Sequence, residues 1–185
     1  MNDLIRYFAY GTTQRGFAHH RRLEHLLGEP VGRFRTVAPH AVVVPHRAGC
    51  SNPGCRYVHR MAALVPGGAR LHVEGDLFLI GREAAELIDE LETGSAGLAA
   101  PYVRKGVSVT SSDGKTTYRA RTYYAREPAR WRALVESGRA DALPAYPPDL
   151  ATGETLKDCC SRAPGHPPPH AIVDPLDGIP VRAAL

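Results

Sequence analysis

Blocks of apolar and polar positions along this chain predict elements of both kinds. Residues 4–10 (Leu-Ile-Arg-Tyr-Phe-Ala-Tyr) form an aromatic-rich run expected as a buried strand. Between residues 17 and 27, Phe17, Leu23, Leu26 and Leu27 are spaced for a short helix, which Gly28 and Pro30 stop. Residues 41–45 read as a short strand. Residues 61–65 and 71–80 read as two more, joined through Pro66-Gly67-Gly68. Residues 83–91 carry the clearest helical pattern. Residues 103–110 and 118–124 flank Ser112-Asp113-Gly114, a hairpin signal. Residues 128–136 form a further helix, with Pro128 in its first turn and Gly138 past its end. The sum is an α+β domain, mostly β, whose sheet curls or closes into a small barrel.

After Leu143 the pattern breaks down. Pro144, Pro147, Pro148, Pro164, Pro167, Pro168, Pro169, Pro175 and Pro180 punctuate the remainder. The expected organisation is one domain over residues 1–143, with an irregular insertion at 47–60, and a Pro-rich C-terminal extension over 144–185. The 185 residues and 43% hydrophobic content suit one such domain with a proper core. Charge changes the picture little. The formal net charge is +4, and the basic residues are scattered rather than gathered in a stripe with interleaved aromatics, which speaks against a nucleic-acid partner. No segment approaches the apolar length of a membrane span, and no secretory signal pattern opens the chain, so a cytoplasmic protein is the expectation.

The four cysteines stand as Cys50, Cys55 and the adjacent pair Cys159-Cys160. Cys50, Cys55 and His59 are a fragment of a zinc pattern with no second C-x-x-C to complete it, and a small disulfide loop between the two cysteines is an equal alternative. No metal and no cofactor are expected. Cys159-Cys160 lie among prolines, without a helix terminus to activate a thiol.

Two segments carry candidate chemistry. On a helical wheel of about 100° per residue, Ala84, Ala85, Leu87, Ile88 and Leu91 share one arc, and Glu83, Glu86, Asp89 and Glu90 share the other. Glu92 leaves its fellow acids. It follows Ile88 by four residues and Ala85 by seven, on the apolar side. A carboxyl buried there has its pKa raised toward neutrality and becomes a useful base. A helix that ends at Leu91 leaves Glu92 in a solvated loop instead, and helix ends are uncertain by a residue or two. Thr93-Gly94-Ser95-Ala96-Gly97 then suit either a pocket rim or a linker. The second segment is Tyr10-Gly11-Thr12-Thr13, where the first strand gives way to the first helix. A Gly permits close backbone approach, and successive N–H groups near a helix start favour a carboxylate or a developing oxyanion. A Thr-capped turn is the plain alternative. The glycine spacing matches neither a dinucleotide fingerprint nor a P-loop.

Five short motifs, in order, resemble the gamma-glutamylcyclotransferase-like family. They are Tyr7-Phe8-Ala9-Tyr10-Gly11-Thr12, Val73-Glu74-Gly75-Asp76-Leu77-Phe78, Leu87-Ile88-Asp89-Glu90-Leu91-Glu92, Tyr102-Val103-Arg104 with Val107 and Val109, and Arg121-Thr122-Tyr123. Together they span roughly residues 4–126. The resemblance implies a small mixed β-barrel with flanking helices. It implies a small-molecule gamma-glutamyl substrate, cleaved by its own alpha-amine to 5-oxoproline and a free amine without a cofactor. By the same resemblance Glu92 is the catalytic base, and Tyr10, Gly11, Thr12, Thr13, Tyr102 and Tyr123 contact the substrate. Three features depart from the family pattern: Thr93 after the Glu where Gly is common, Thr13-Gln14 in the loop, and the insertion with the Pro-rich extension. They bear on substrate identity more than on reaction type. A non-catalytic binding module on the same fold and a zinc-stabilised protein are the alternatives.

Overall fold

The computed structural model describes residues 4–46, 62–67, 70–93 and 101–147. The cysteines, the insertion at 47–60, the loop at 94–100 and the chain beyond residue 147 lie outside the described residues.

Among the described residues, eight strands and three helices follow one another as β1 (Ile5–Ala9), α1 (Ala18–Leu27), β2 (Gly32–Thr36), β3 (His40–Pro45), β4 (Ala63–Pro66), β5 (Glu74–Ile80), α2 (Arg82–Thr93), β6 (Tyr102–Ser111), β7 (Thr117–Ala125), α3 (Pro128–Glu136) and β8 (Ala140–Leu143). In space the strands run β1-β5-β2-β6-β7-β4-β3-β8, and β1 also pairs with β7. That last pairing closes β1, β5, β2, β6 and β7 into a five-stranded barrel. It is parallel and centred on Tyr7 opposite Arg121. The same edge of β7 continues to β4, where Leu64 stands opposite Tyr124. β4, β3 and β8 therefore form an arm that leaves the barrel where β1 ends. The expected α+β barrel with flanking helices is what the structure shows.

Two-sided burial explains why β1 is a continuous apolar run. Phe8 and Tyr10 point into the barrel with Phe34, Leu77, Val107, Val109 and Tyr124. Tyr7 and Ala9 face outward and are covered by Leu23 and Leu27 of α1 and Ala84 and Ile88 of α2. A strand covered on both faces has no polar side to show. β3 repeats the arrangement in the arm. Val42 and Val44 join the barrel core, while Ala41 and Val43 lie under Trp131 and Leu134 of α3.

Two strands escape the periodicity. β2 reads Gly-Arg-Phe-Arg-Thr and alternates strictly, with Phe34 and Thr36 buried between exposed arginines. One aromatic between two arginines is too little apolar signal to read as a strand. β8 has four residues and is made by its pairing to β3. The expected strand over 71–80 begins only at Glu74. Beyond β8, Tyr146 is buried against Phe17, and the Pro144 carbonyl accepts the Glu74 N–H at 2.8 Å, so the first residues after Leu143 pack on the domain.

Gly75 sits where β5 passes under β1. A Cβ there would lie 2.2 Å from the Ala9 carbonyl oxygen and 2.8 Å from the Phe8 ring. Backbone cannot yield as a flexible side chain would. Gly75→Ala is expected to destabilise the domain by at least about 2 kcal/mol, read as a lowered thermal midpoint; an unchanged midpoint would show that β1 and β5 separate without cost.

Candidate active site

The candidate residues meet at one end of the barrel, where β1 leaves the sheet and α2 ends. Tyr10 anchors this end. Its hydroxyl donates to the Tyr123 carbonyl at 2.9 Å and accepts the Leu64 N–H at 3.1 Å. One side chain thus ties β1 to β7 and to β4 at the point where both share an edge.

Side chains and carbonyls then fix the loop that follows. Thr13 shares a 2.7 Å hydrogen bond with the Tyr7 hydroxyl, and Thr12 one of 2.8 Å with His19 Nδ1. The Thr12 carbonyl accepts the N–H groups of His19 and His20. Gln14 donates from Nε2 to the Tyr10 carbonyl at 2.7 Å and accepts from Arg33 at 2.9 Å. The Arg15 N–H donates to Asp76 at 2.8 Å. Thr13 and Gln14 are each only 2% exposed, so these departures from the family pattern face the protein's own Tyr7 and Arg33. Among the described residues, no hydrogen bond uses the N–H of Gly11, Thr12 or Thr13. A Cβ on Gly11 would meet nothing within 4 Å among the described residues.

Glu92 lies inside α2, which runs to Thr93. The Thr93 hydroxyl closes the last turn by donating to the Asp89 carbonyl at 2.6 Å. The helix thus continues past Leu91, and Glu92 sits on it partly buried rather than in a loop. Four of the five residues of the expected arc do pack on the domain, Ala84 and Ile88 buried and Ala85 and Leu87 partly so, and the seam also takes in partly buried Asp89 and Glu92. Leu91, expected inside, is 49% exposed. Asp89, expected on the outward acidic arc, accepts hydrogen bonds from Tyr123 and Arg104. The wheel does not account for this: the line through Ala84, Ile88 and Glu92 passes about 60° from Leu91 and about 100° from Asp89, and what draws Asp89 in is its partners Tyr123 and Arg104 on the barrel.

Burial lifts the Glu92 carboxyl from its usual range to about 7. No hydrogen bond from another described residue reaches its oxygens, and desolvation alone accounts for the shift. Four phenols feel its charge. Tyr7, Tyr10 and Tyr102 are raised first by burial and then by Glu92. Tyr123 is raised by burial, by its hydrogen bond to Asp89 and the Asp89 charge, and further by Tyr7 and Glu92. All four stay neutral near pH 7 and offer hydroxyls rather than charges.

Glu92, Tyr10, Tyr102 and Tyr123 are therefore brought together, with the Gly11–Thr13 backbone attached through Tyr10. Tyr7, Asp89 and Arg104 belong to the same cluster and were not among the expected site residues. All three stand inside the motifs that carry the resemblance: Tyr7 opens the first, Asp89 precedes Glu92 by three residues in the third, and Arg104 follows Tyr102 by two in the fourth. A groove of about 560 Å³ lined by Leu4, Ile5, Arg6, Gly106, Arg119 and Arg121 lies at the opposite end of β1, away from Glu92. A hollow of about 10 Å³ under Tyr7, Asp89, Arg104 and Tyr123 is closer to it. Among the described residues no group of three metal-ligating side chains occurs, and no helix is long and apolar enough to cross a membrane.

A carboxyl whose pKa is raised on folding costs stability as pH climbs from its unfolded value, near 4.5, through about 7. Glu92→Gln removes that cost. The variant is expected to melt above the wild type at about pH 8, by on the order of 2 kcal/mol, and close to it at about pH 5. A gap independent of pH would show that the carboxylate is solvated.

Comparison with known proteins bears on the family and the fold. The family model described as gamma-glutamyl cyclotransferase, AIG2-like, matches residues 7–141. A crystal structure of an AIG2-like protein from Mus musculus is similar in fold, with a TM-score of 0.54 and 17% identity over 78% of this chain and 88% of that one. An uncharacterized protein from Homo sapiens aligns with a TM-score of 0.47 and 15% identity over 74% of this chain and 80% of that one. No curated protein matches the chain by sequence. With the family model spanning the whole barrel from β1 into β8, the chain belongs to the AIG2-like gamma-glutamyl cyclotransferase family.

Proposed function

We propose that the protein is an active gamma-glutamyl cyclotransferase, releasing 5-oxoproline and a free amine from a gamma-glutamyl amide. The observation that carries this reading is Glu92: a carboxyl desolvated to about 7, at the end of α2, beside a loop whose N–H groups are unused among the described residues. Membership of the family supports the same chemistry.

The substrate's alpha-ammonium group must lose a proton before its nitrogen can attack. Glu92 near pH 7 is matched to that task, since a base works best with a pKa close to the working pH. The amine then closes on the gamma-carbonyl carbon to form a five-membered ring. Holding the substrate folded makes this step intramolecular, and that supplies much of the rate. The carbonyl oxygen becomes an oxyanion, for which the N–H groups of Gly11, Thr12 and Thr13 are the available donors. Collapse breaks the amide C–N bond. Glu92 returns its proton to the departing nitrogen. Of the three ammonium hydrogens, one stays on the lactam nitrogen and two leave on the product amine, so the equation balances without water. Tyr102 and Tyr123, neutral and beside Glu92, are substrate-contacting hydroxyls in this reading.

Glu92→Gln should keep the fold and lower kcat at least about a hundredfold, the loss usual for a missing general base. A mass-spectrometric screen of gamma-glutamyl amides for 5-oxoproline, wild type against Glu92→Gln, tests this. Near-normal turnover by the variant would sink Glu92 as the base. Free glutamate in place of 5-oxoproline would make the protein a hydrolase, and tight binding without any product a recognition module. For the wild type, kcat/KM should fall below about pH 7 as Glu92 is protonated; a rate that is flat down to pH 5 would contradict the assignment.

A further inference from the structure

The last turns of α2 carry a second acid that the mechanism above leaves unused. Asp89 lies nearly one turn before Glu92 on the same seam, and each of its oxygens has one donor. The Tyr123 hydroxyl gives its hydrogen to Oδ1, and Arg104 Nη1 gives one to Oδ2. Arg104 and Tyr123 stand directly opposite each other in the β6–β7 register, so the carboxylate grips a facing cross-strand pair.

The grip does little for stability. Arg104 is 47% exposed, and ion pairs of that kind contribute about 0–1 kcal/mol. Its effect is on Tyr123. A phenol has one hydrogen and two lone pairs. With the hydrogen given to Asp89, the Tyr123 oxygen can only accept, and donation to a carboxylate makes it a stronger acceptor. Among the described residues, Tyr7 and Tyr10 give no hydrogen to a carboxylate. Tyr10 is occupied as both donor and acceptor by Tyr123 and Leu64, and Tyr7 faces the Thr13 hydroxyl, where either oxygen can donate. An acceptor-only oxygen that feels the Glu92 charge suits a cationic donor.

We propose that Asp89, held by Arg104, is a positioning residue that turns Tyr123 into a one-way acceptor, and that the Tyr123 oxygen and Glu92 together seat the substrate's alpha-ammonium group. This rests on the cyclotransferase reading and adds to it the origin of selectivity for the amine. Glu92 alone is a base. Glu92 with an oriented acceptor holds the nitrogen before its proton is taken.

The test is a pair of ligands measured on variants that cannot turn over. In the Glu92→Gln background, dissociation constants are measured by calorimetry for a gamma-glutamyl amide and for its desamino analogue, the corresponding glutaryl amide. Adding Tyr123→Phe or Asp89→Asn should weaken the amine-bearing ligand by about tenfold or more, as for a hydrogen bond to a charged group, and leave the desamino ligand nearly unchanged. Combining the two should cost no more than Tyr123→Phe alone, because Asp89 acts through that hydroxyl. Equal losses for both ligands, or additive losses in the combined variant, would reduce Asp89 to a structural clamp and overturn the inference. Should Asp89→Asn not fold, Tyr123→Phe, which removes a single oxygen, carries the same discrimination alone. Release of 5-oxoproline by the wild type without any preference for the amine-bearing ligand would overturn this inference and spare the cyclotransferase reading. Absence of 5-oxoproline and of binding to either ligand would overturn both.

Discussion

Closure of the barrel by β1 is the constraint on which the remaining structure depends. One strand with both faces buried must lie between β5 and β7, under two helices and over the inner core. Its outward face, through Tyr7 and Ala9, sets where α2 packs and hence where Glu92 arrives. Its inward face ends in Tyr10, whose hydroxyl fastens β7 and β4 at the seam. Base and loop are positioned from opposite faces of the same strand. Their relative placement is inherited from strand pairing.

The seam also sets the electrostatics. A carboxylate in water does not reach a pKa of about 7; burial among neutral phenols brings it there. The phenols are kept neutral by the same burial and by the same charge. Burial thus sets the carboxyl, and the carboxylate in turn helps to keep the phenols neutral.

Much of this was legible in the sequence, and the failures are physical. β1, α1, α2, α3 and the β6–β7 hairpin announce themselves through long apolar patterns with Gly and Pro at their ends. β2 does not, because a strand between two others in a small barrel needs only Phe34 and Thr36 inside and can spend its other positions on arginine. Glu92 was legible as the acid out of step with its neighbours. The wheel missed Asp89, which lies about 100° from the line through Ala84, Ile88 and Glu92 and is held by Tyr123 and Arg104, partners that a helix read by itself does not show. Leu91 misled it, since an exposed leucine costs little and is common. Thr13 and Gln14 look like pocket residues by position, yet their side chains serve Tyr7, Tyr10 and Arg33 and leave only main chain toward the opening.

The shared edge of β7 has a kinetic side. The Thr122 hydroxyl meets the Phe8 carbonyl across 114 positions of chain, and Tyr10 meets Tyr123 across 113. Such contacts are rewarded only after nearly the whole domain has been gathered, and folds that rely on them assemble slowly. Because the residues around Glu92 come from both ends of that span, no nascent fragment lacking β7 holds the pocket. A chain caught halfway exposes the apolar β1 run without its partner, a strand edge open to neighbouring molecules.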